Sequence, residues 1–151
     1  MKRTRLEGGA VMIELALILP LILLLLLGAI HFGYLFYLYN GLEKSVRDGA
    51  RYAASRTYVY QLPAQYRQVV ERAVVYGSQA STTPLVDGLN YGSNQVLIEL
   101  IPDNGTRPER VRVSVQNYTY EGVLSFLLGG ITLSGKPAAE MPFIGLARNQ
   151  N

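Results

Sequence analysis

The chain has 151 residues, 49% of them hydrophobic and 17% charged, which leaves room for one small domain beside a hydrophobic anchor. A formal net charge of only +3, with no basic stretch interleaved with aromatic residues, argues against a nucleic-acid surface. The chain has no cysteine, which excludes disulfides, thiolate chemistry and cysteine-ligated metals.

The first predicted element is a long hydrophobic helix. A short basic stretch, Met1–Arg5, precedes it, and residues 15–30 carry no charge. A bilayer core needs about 20 apolar residues, and residues 10–39 supply enough for about 45 Å of helix. Cations precede this span and the next follows only at Lys44, so the positive-inside rule predicts a cytoplasmic N-terminus. Aromatic residues at its far end predict an interfacial belt: Phe32, Tyr34, Phe36, Tyr37 and Tyr39.

A cleavable secretory signal is the first alternative to a retained anchor. Its apolar core would be shorter and would end at a small-x-small site, whereas Leu27-Gly28-Ala29 places a bulky residue where a small one is needed. The pattern therefore favours a retained anchor.

His31 is the only histidine, and without partners nearby in sequence it is expected at the interface beside Phe32 rather than in a metal or catalytic site.

Glu14 is the one acidic residue in the apolar helix. A carboxylate at the bilayer centre costs about 2.5–3.5 kcal/mol on insertion scales, so Glu14 is either a functional residue or lies close enough to the cytoplasmic interface to reach water. Pro20 removes one helix hydrogen bond and is expected to kink the helix.

The stretch Gly9–Leu21, GAVMIELALILPL, resembles the signal of type IV pilins and pseudopilins, and in particular the TadE-like family of Flp/Tad (type IVb) pilus assembly. The run Asp48–Ala53, DGARYA, is similar to the end of the same family region. Two residues depart from the family pattern. Gly8 stands where many members have a basic residue, and His31 stands where an acidic one is common.

The resemblance implies cleavage by a prepilin peptidase between Gly9 and Ala10. It also implies that Glu14, the fifth residue of the mature chain, pairs with the amino terminus of a neighbouring subunit. The implied partners are the peptidase, other pilins or pseudopilins of the Tad machinery, and the lipid bilayer. The implied location is the bacterial inner membrane, and the resemblance also allows incorporation into a surface pilus.

Small residues mark two places where another helix could approach closely. Gly28 and Gly33 lie in the apolar span, although not at GxxxG spacing. Beyond the span, an apolar stripe continues the helix to about Ser55 and faces either the chain's own domain or a partner subunit. Its members are Leu42, Val46, Gly49, Ala50 and Ala53.

The rest of the chain predicts a small α+β, pilin-like domain. Pro63–Tyr76 is expected to form a second helix, and residues 78–93 a long loop. Three strand candidates follow, with a turn at residues 102–105, and predict a three- to four-stranded antiparallel sheet. They are Gln95–Ile101, Arg110–Tyr120, and a strand from Ile131 through Gly135 toward Met141. The apolar run Val123–Leu128 either covers the domain's own core or lies on a membrane or partner.

These elements define four expected regions: a leader at 1–9, a transmembrane helix at 10–39, its extramembrane continuation at 40–56, and an extracytoplasmic domain at 57–151. No pattern for an enzyme, cofactor, metal or small-molecule substrate stands out. The leading hypothesis is a TadE-like pseudopilin. The alternatives are an uncleaved, membrane-anchored binding protein of the cell envelope and, last, a secreted enzyme whose signal is removed near residue 30.

Overall fold

The computed structural model describes residues 4–59, 63–102 and 107–148. Its first element is α1, Thr4–Ser55, a helix of 52 residues, or about 78 Å at 1.5 Å per residue. The other elements are β1 Tyr58–Val59, α2 Pro63–Tyr76, β2 Val96–Ile101, β3 Arg110–Val115, β4 Tyr118–Tyr120, α3 Ser125–Leu128, β5 Ile131–Leu133, β6 Ala138–Pro142 and β7 Ala147–Arg148.

Helix α1 has two segments that differ in their surroundings. Residues 10–30, the bare segment, are exposed except for the half-buried Gly28. Residues 31–55, the packed segment, begin at the buried His31 and form the central helix of the domain. The most apolar window of α1 has a mean hydropathy of 2.9 and is wholly exposed, so this helix is long and apolar enough to cross a membrane.

The domain is built from a three-stranded antiparallel sheet and two helices. The strand order is β2–β3–β6, with Val113 opposite both Ile98 and Ala139. Side chains alternate along β3, so Val111 and Val113 are buried while Arg112 faces solvent. Helix α1 packs on β3, β6 and α2, and α2 packs in turn on β2. Two smaller sheets complete the fold, an antiparallel β4–β5 pair and a parallel β1–β7 pair.

The contact between α1 and α2 is close because small residues line it. A Cβ added at Gly49 would overlap the Val74 side chain, so only glycine permits this approach. Two hydrogen bonds hold the helices together. The Ser45 hydroxyl donates to the Val74 carbonyl, and the Tyr66 hydroxyl donates to the Ala53 carbonyl at 2.6 Å. Both donors are buried, so the bonds satisfy groups that would otherwise lose their hydration.

The α+β prediction is confirmed. Helix α1 ends at Ser55, α2 has the predicted bounds, and β2 starts one residue later than predicted. The region 78–93 contains no helix or strand, as expected for a loop. Part of the predicted turn at 102–105 lies outside the described residues.

Two strand predictions are wrong in detail. The expected strand Arg110–Tyr120 breaks after Val115 because Asn117 adopts a left-handed conformation, φ 53°, that directs the chain away from the main sheet. The expected strand from Ile131 toward Met141 is likewise two strands, β5 and β6, separated by Gly135 at φ 73°. Strands β4 and β5 pair with each other instead of extending the main sheet. Alternation alone does not reveal either break.

The apolar run Val123–Leu128 forms a short helix and does not serve mainly as core. Leu124 is buried, whereas Val123, Phe126 and Leu127 are exposed. The expectation that the run covers the core is therefore wrong for these three side chains. The reason is geometric: the chain contacts α1 for a single turn around Leu124 and turns back at Gly129, whose φ is 75°.

Candidate functional site on the N-terminal helix

The predicted processing site lies within α1. Gly9 and Ala10 are both exposed, and a Cβ added at Gly9 would have nothing within 4 Å, so other chains can reach this backbone. The helix runs through the Gly9–Ala10 peptide without a break. Gly8 and Gly9 are consecutive, and each destabilises a helix interior by about 0.5–1 kcal/mol relative to alanine. This point of α1 is therefore easier to open for a peptidase than the leucine-rich helix that follows.

Glu14 lies one turn beyond Ala10 on the bare segment. Four residues correspond to a rise of about 6 Å, and residues at i and i+4 share a helix face. The side chain is exposed, and it is surrounded on the helix by exposed apolar residues such as Val11, Met12 and Ile13. A carboxylate on such a surface is positioned to accept a charged donor from another chain.

Pro20 lies at the centre of the bare segment and is exposed. Its ring nitrogen cannot donate to the carbonyl of Ala16, so one helix hydrogen bond is missing there. Helix α1 continues past this position. Pro20 therefore marks a local weakness in the span without ending it.

The five small residues predicted to pack helices fall into two groups. Gly28 and Gly33 have nothing within 4 Å of an added Cβ, so the chain's own domain leaves these positions free. Gly49, Ala50 and Ala53 are buried against the domain, together with the rest of the stripe from Leu42. The stripe thus faces its own domain, and only the two glycines on the span side remain available to another helix.

Residues 9–51 match the family model for TadE-like proteins. This match agrees with the resemblance drawn from Gly9–Leu21 and Asp48–Ala53, and it indicates a protein related to the Tad pilus. No curated protein and no solved structure matches the chain.

The TadE-like segment, residues 9–51, begins at the predicted cleavage point. It covers nearly all of the part of α1 that lies after that point. It contains the whole bare segment and most of the packed segment. Helix α2 and the three-stranded sheet lie outside the match. The family match therefore rests on the helix.

His31 has a structural role within the TadE-like segment that sequence reasoning missed. It is 1% exposed, and its Nδ1 accepts a hydrogen bond from the Leu124 backbone N–H at 3.4 Å. The Tyr120 hydroxyl donates to the His31 carbonyl at 3.4 Å, and the two rings are 5.1 Å apart. The His31 ring also contacts the neighbouring Phe32 ring, with centroids 5.6 Å apart. His31 thus joins the end of the bare segment to the domain.

The His31 Nε2 has no hydrogen-bond partner within the part of the chain that the structure describes. Among those same residues, no group of three or more His, Cys, Asp or Glu side chains could hold a metal ion. The contacts of His31 were not visible in the sequence because Tyr120 and Leu124 are about 90 residues away. A polar residue between the apolar run and the aromatic belt was the only available signal.

Proposed function

We propose that this chain is a TadE-like pseudopilin, cut by a prepilin peptidase after Gly9, that acts in assembling a Flp/Tad (type IVb) pilus or a related secretion system. The observation that carries the proposal is the division of α1. Its packed segment is the core of a folded domain, while its bare segment, residues 10–30, presents an apolar surface with a single charge, Glu14. A surface of this kind needs lipid or neighbouring helices, and the family match begins at Gly9.

The dimensions of the bare segment fit a bilayer. Residues 10–30 span about 31 Å at 1.5 Å per residue, close to the hydrocarbon thickness of about 30 Å. We place the end of the span near Ile30, before the predicted end at Tyr39, because His31 and Leu38 are buried under the domain. In this arrangement residues 1–9 lie in the cytoplasm and the domain lies outside the bacterial inner membrane. The basic residues before the span favour this orientation.

Cleavage would change the electrostatics of the bare segment. It would leave an ammonium at Ala10, about 6 Å of helix rise from the Glu14 carboxylate. Between adjacent subunits, opposite charges in a low-dielectric surrounding attract strongly, and an unpaired carboxylate is costly. A Glu14 carboxylate that meets the Ala10 ammonium of a neighbour would therefore set the axial register between two helices. Gly28 and Gly33 would let the same helices approach closely.

The test is the N-terminus of the mature protein, measured on membranes by intact mass and N-terminal peptide mapping. We expect the wild type to begin at Ala10 and the Gly9→Val variant to keep its leader. Gly28→Val is the matched control, because it makes the same substitution on the bare segment but away from the cleavage point, and it should still begin at Ala10.

Other outcomes lead to different functions. A chain that begins at Met1 or Lys2 in the wild type would contradict the pseudopilin proposal and leave an uncleaved anchor with an outer binding domain. A chain that begins near residue 30 would indicate a secretory signal. The structure makes that outcome easy to recognise, since the packed segment would remain and the bare segment would be lost.

A further inference from the structure

Helix α3 and the turn that leads into it carry an exposed apolar patch. Val123, Phe126 and Leu127 are 57%, 83% and 62% exposed, and we call them the α3 patch. Leu124, which lies among them in sequence, is buried instead and anchors the turn. Three large apolar side chains exposed within five residues make the patch a candidate contact surface.

The α3 patch is held firmly at one height on α1. The Leu124 N–H donates to His31 Nδ1 at 3.4 Å, and the turn is closed by the Ser125 hydroxyl, which donates to the Gly122 carbonyl at 2.6 Å. A Cβ added at Gly122 would overlap both the Tyr120 hydroxyl and the His31 ring. This close fit fixes the turn at the level of His31, the buried residue that directly follows the bare segment.

Further contacts between the domain and α1, among the described residues, lie farther from the bare segment. Tyr120 contacts the Tyr34 ring, with centroids 6.0 Å apart, and Val86 lies against Gly41. At the far end, the Ile144 N–H donates to the Ala54 carbonyl at 2.9 Å. His31 and Ala54 are separated by about 35 Å of helix. The α3 patch is therefore at the end of the domain nearest the bare segment, and Ile144 is at the opposite end.

We propose that the α3 patch is a second membrane contact, which inserts Val123, Phe126 and Leu127 into the interface of the bilayer that the bare segment crosses. The proposal rests on the membrane anchor of the proposed function. If the bare segment spans the hydrocarbon, its last residue, Ile30, lies at the outer boundary, and the patch is attached one residue beyond it. Burial of apolar side chains among acyl chains and headgroups at that depth lowers the free energy.

The surface around the patch favours lipid over a second copy of the chain as the occupant. Phe32, Phe36 and Tyr37 are also exposed on the first turns of the packed segment, as in an interfacial aromatic belt. The patch thus lies at the same level along α1 as exposed aromatic side chains of the kind found at membrane interfaces. With two attachments, α1 and the patch, the domain would be held in one orientation against the membrane.

Tryptophan fluorescence in the full chain tests the proposal, because the protein contains no tryptophan of its own. Phe126→Trp places a reporter on the patch. Ile144→Trp is the matched control, since Ile144 is 73% exposed but lies at the far end of the domain. Leu21→Trp, at the centre of the bare segment, reports on the anchor itself. Each variant is reconstituted into vesicles whose lipids carry bromine either near the carbonyl end or near the methyl end of the acyl chain.

We expect Phe126→Trp emission to be blue-shifted and quenched mainly by bromine near the carbonyl end. Ile144→Trp emission should be red-shifted and unquenched. Leu21→Trp emission should be quenched mainly by bromine near the methyl end. Unquenched Phe126→Trp together with quenched Leu21→Trp would overturn this inference and leave the anchor intact. Unquenched Leu21→Trp would overturn both. Blue-shifted Phe126→Trp emission that bromine does not quench, and that reverts when the protein is diluted among excess lipid, would assign the patch to another copy of the chain and also overturn the inference.

Discussion

Replacing Gly49 by alanine tests how tightly α1 packs against α2. The added Cβ would overlap Val74 Cγ2 and lie 3.4 Å from the Val74 Cα. Val74 is fully buried and β-branched on a helix, so its side chain has little freedom to rotate away. Overpacking of a tight core costs about 1–3 kcal/mol, and overlap with so rigid a side chain belongs to the upper part of that range, about 2–3 kcal/mol. Replacing glycine by alanine in a helix returns about 1 kcal/mol. We expect Gly49→Ala to lower the free energy of unfolding by about 1–2 kcal/mol.

A double-mutant cycle with Val74→Ala isolates the contact. Val74→Ala alone removes two buried carbons and leaves a cavity, which should cost about 2–3 kcal/mol. In the double variant the alanine at position 49 fills part of that cavity, so the loss should be smaller than the sum of the two single losses by about 1–2 kcal/mol. The assay is urea unfolding of the full chain in detergent, followed by the near-ultraviolet circular dichroism of its tyrosines.

Gly28→Ala is the control for this cycle. It makes the same substitution on the same helix at a position where nothing lies within 4 Å of the added Cβ. It should leave the unfolding of the domain unchanged. If Gly49→Ala behaves like Gly28→Ala, or if the two losses in the cycle simply add, α1 and α2 do not pack as described.

Two further predictions concern single polar groups. Burial raises the pKa of Tyr66, and Tyr58 adds a smaller contribution. The folded chain therefore keeps the Tyr66 hydroxyl proton at pH values above the unfolded pKa of about 10. The contribution of the Tyr66 hydroxyl to the free energy of unfolding is therefore fully present below about pH 10 and decreases as the pH rises above that value. Tyr66→Phe should cost about 0.5–1.5 kcal/mol at neutral pH and flatten that decline, as measured by urea midpoints across pH. Glu14→Gln should leave processing at Ala10 unchanged but weaken helix association in micelles by about 3- to 30-fold. Glu43→Gln is the control, because Glu43 is paired with Arg47 outside the bare segment, and it should not weaken helix association. Equal effects of the two substitutions would contradict the role of Glu14.

Much of the α+β fold could be predicted from the sequence because its signals are local. The uninterrupted apolar run predicts a helix long enough to span a bilayer, and the order of a basic start, Gly9 and Glu14 predicts the family that residues 9–51 match. Pro63 and Gly77 mark the limits of α2 by their backbone preferences. The breaks at Asn117 and Gly135 were missed, since both lie in stretches whose strand pattern continues on either side.

Tertiary structure alone decided which parts of α1 are left exposed and which face the domain. Membrane and protein core favour the same apolar and small side chains, so neither composition nor periodicity separates Gly28 and Gly33, which are left open, from Gly49, which is closed by Val74. The boundary at His31 depends on Tyr120 and Leu124, which are distant in sequence. The exposure of Phe126 has the same origin, because an apolar residue is buried only if another element covers it, and that depends on where the rest of the chain is placed.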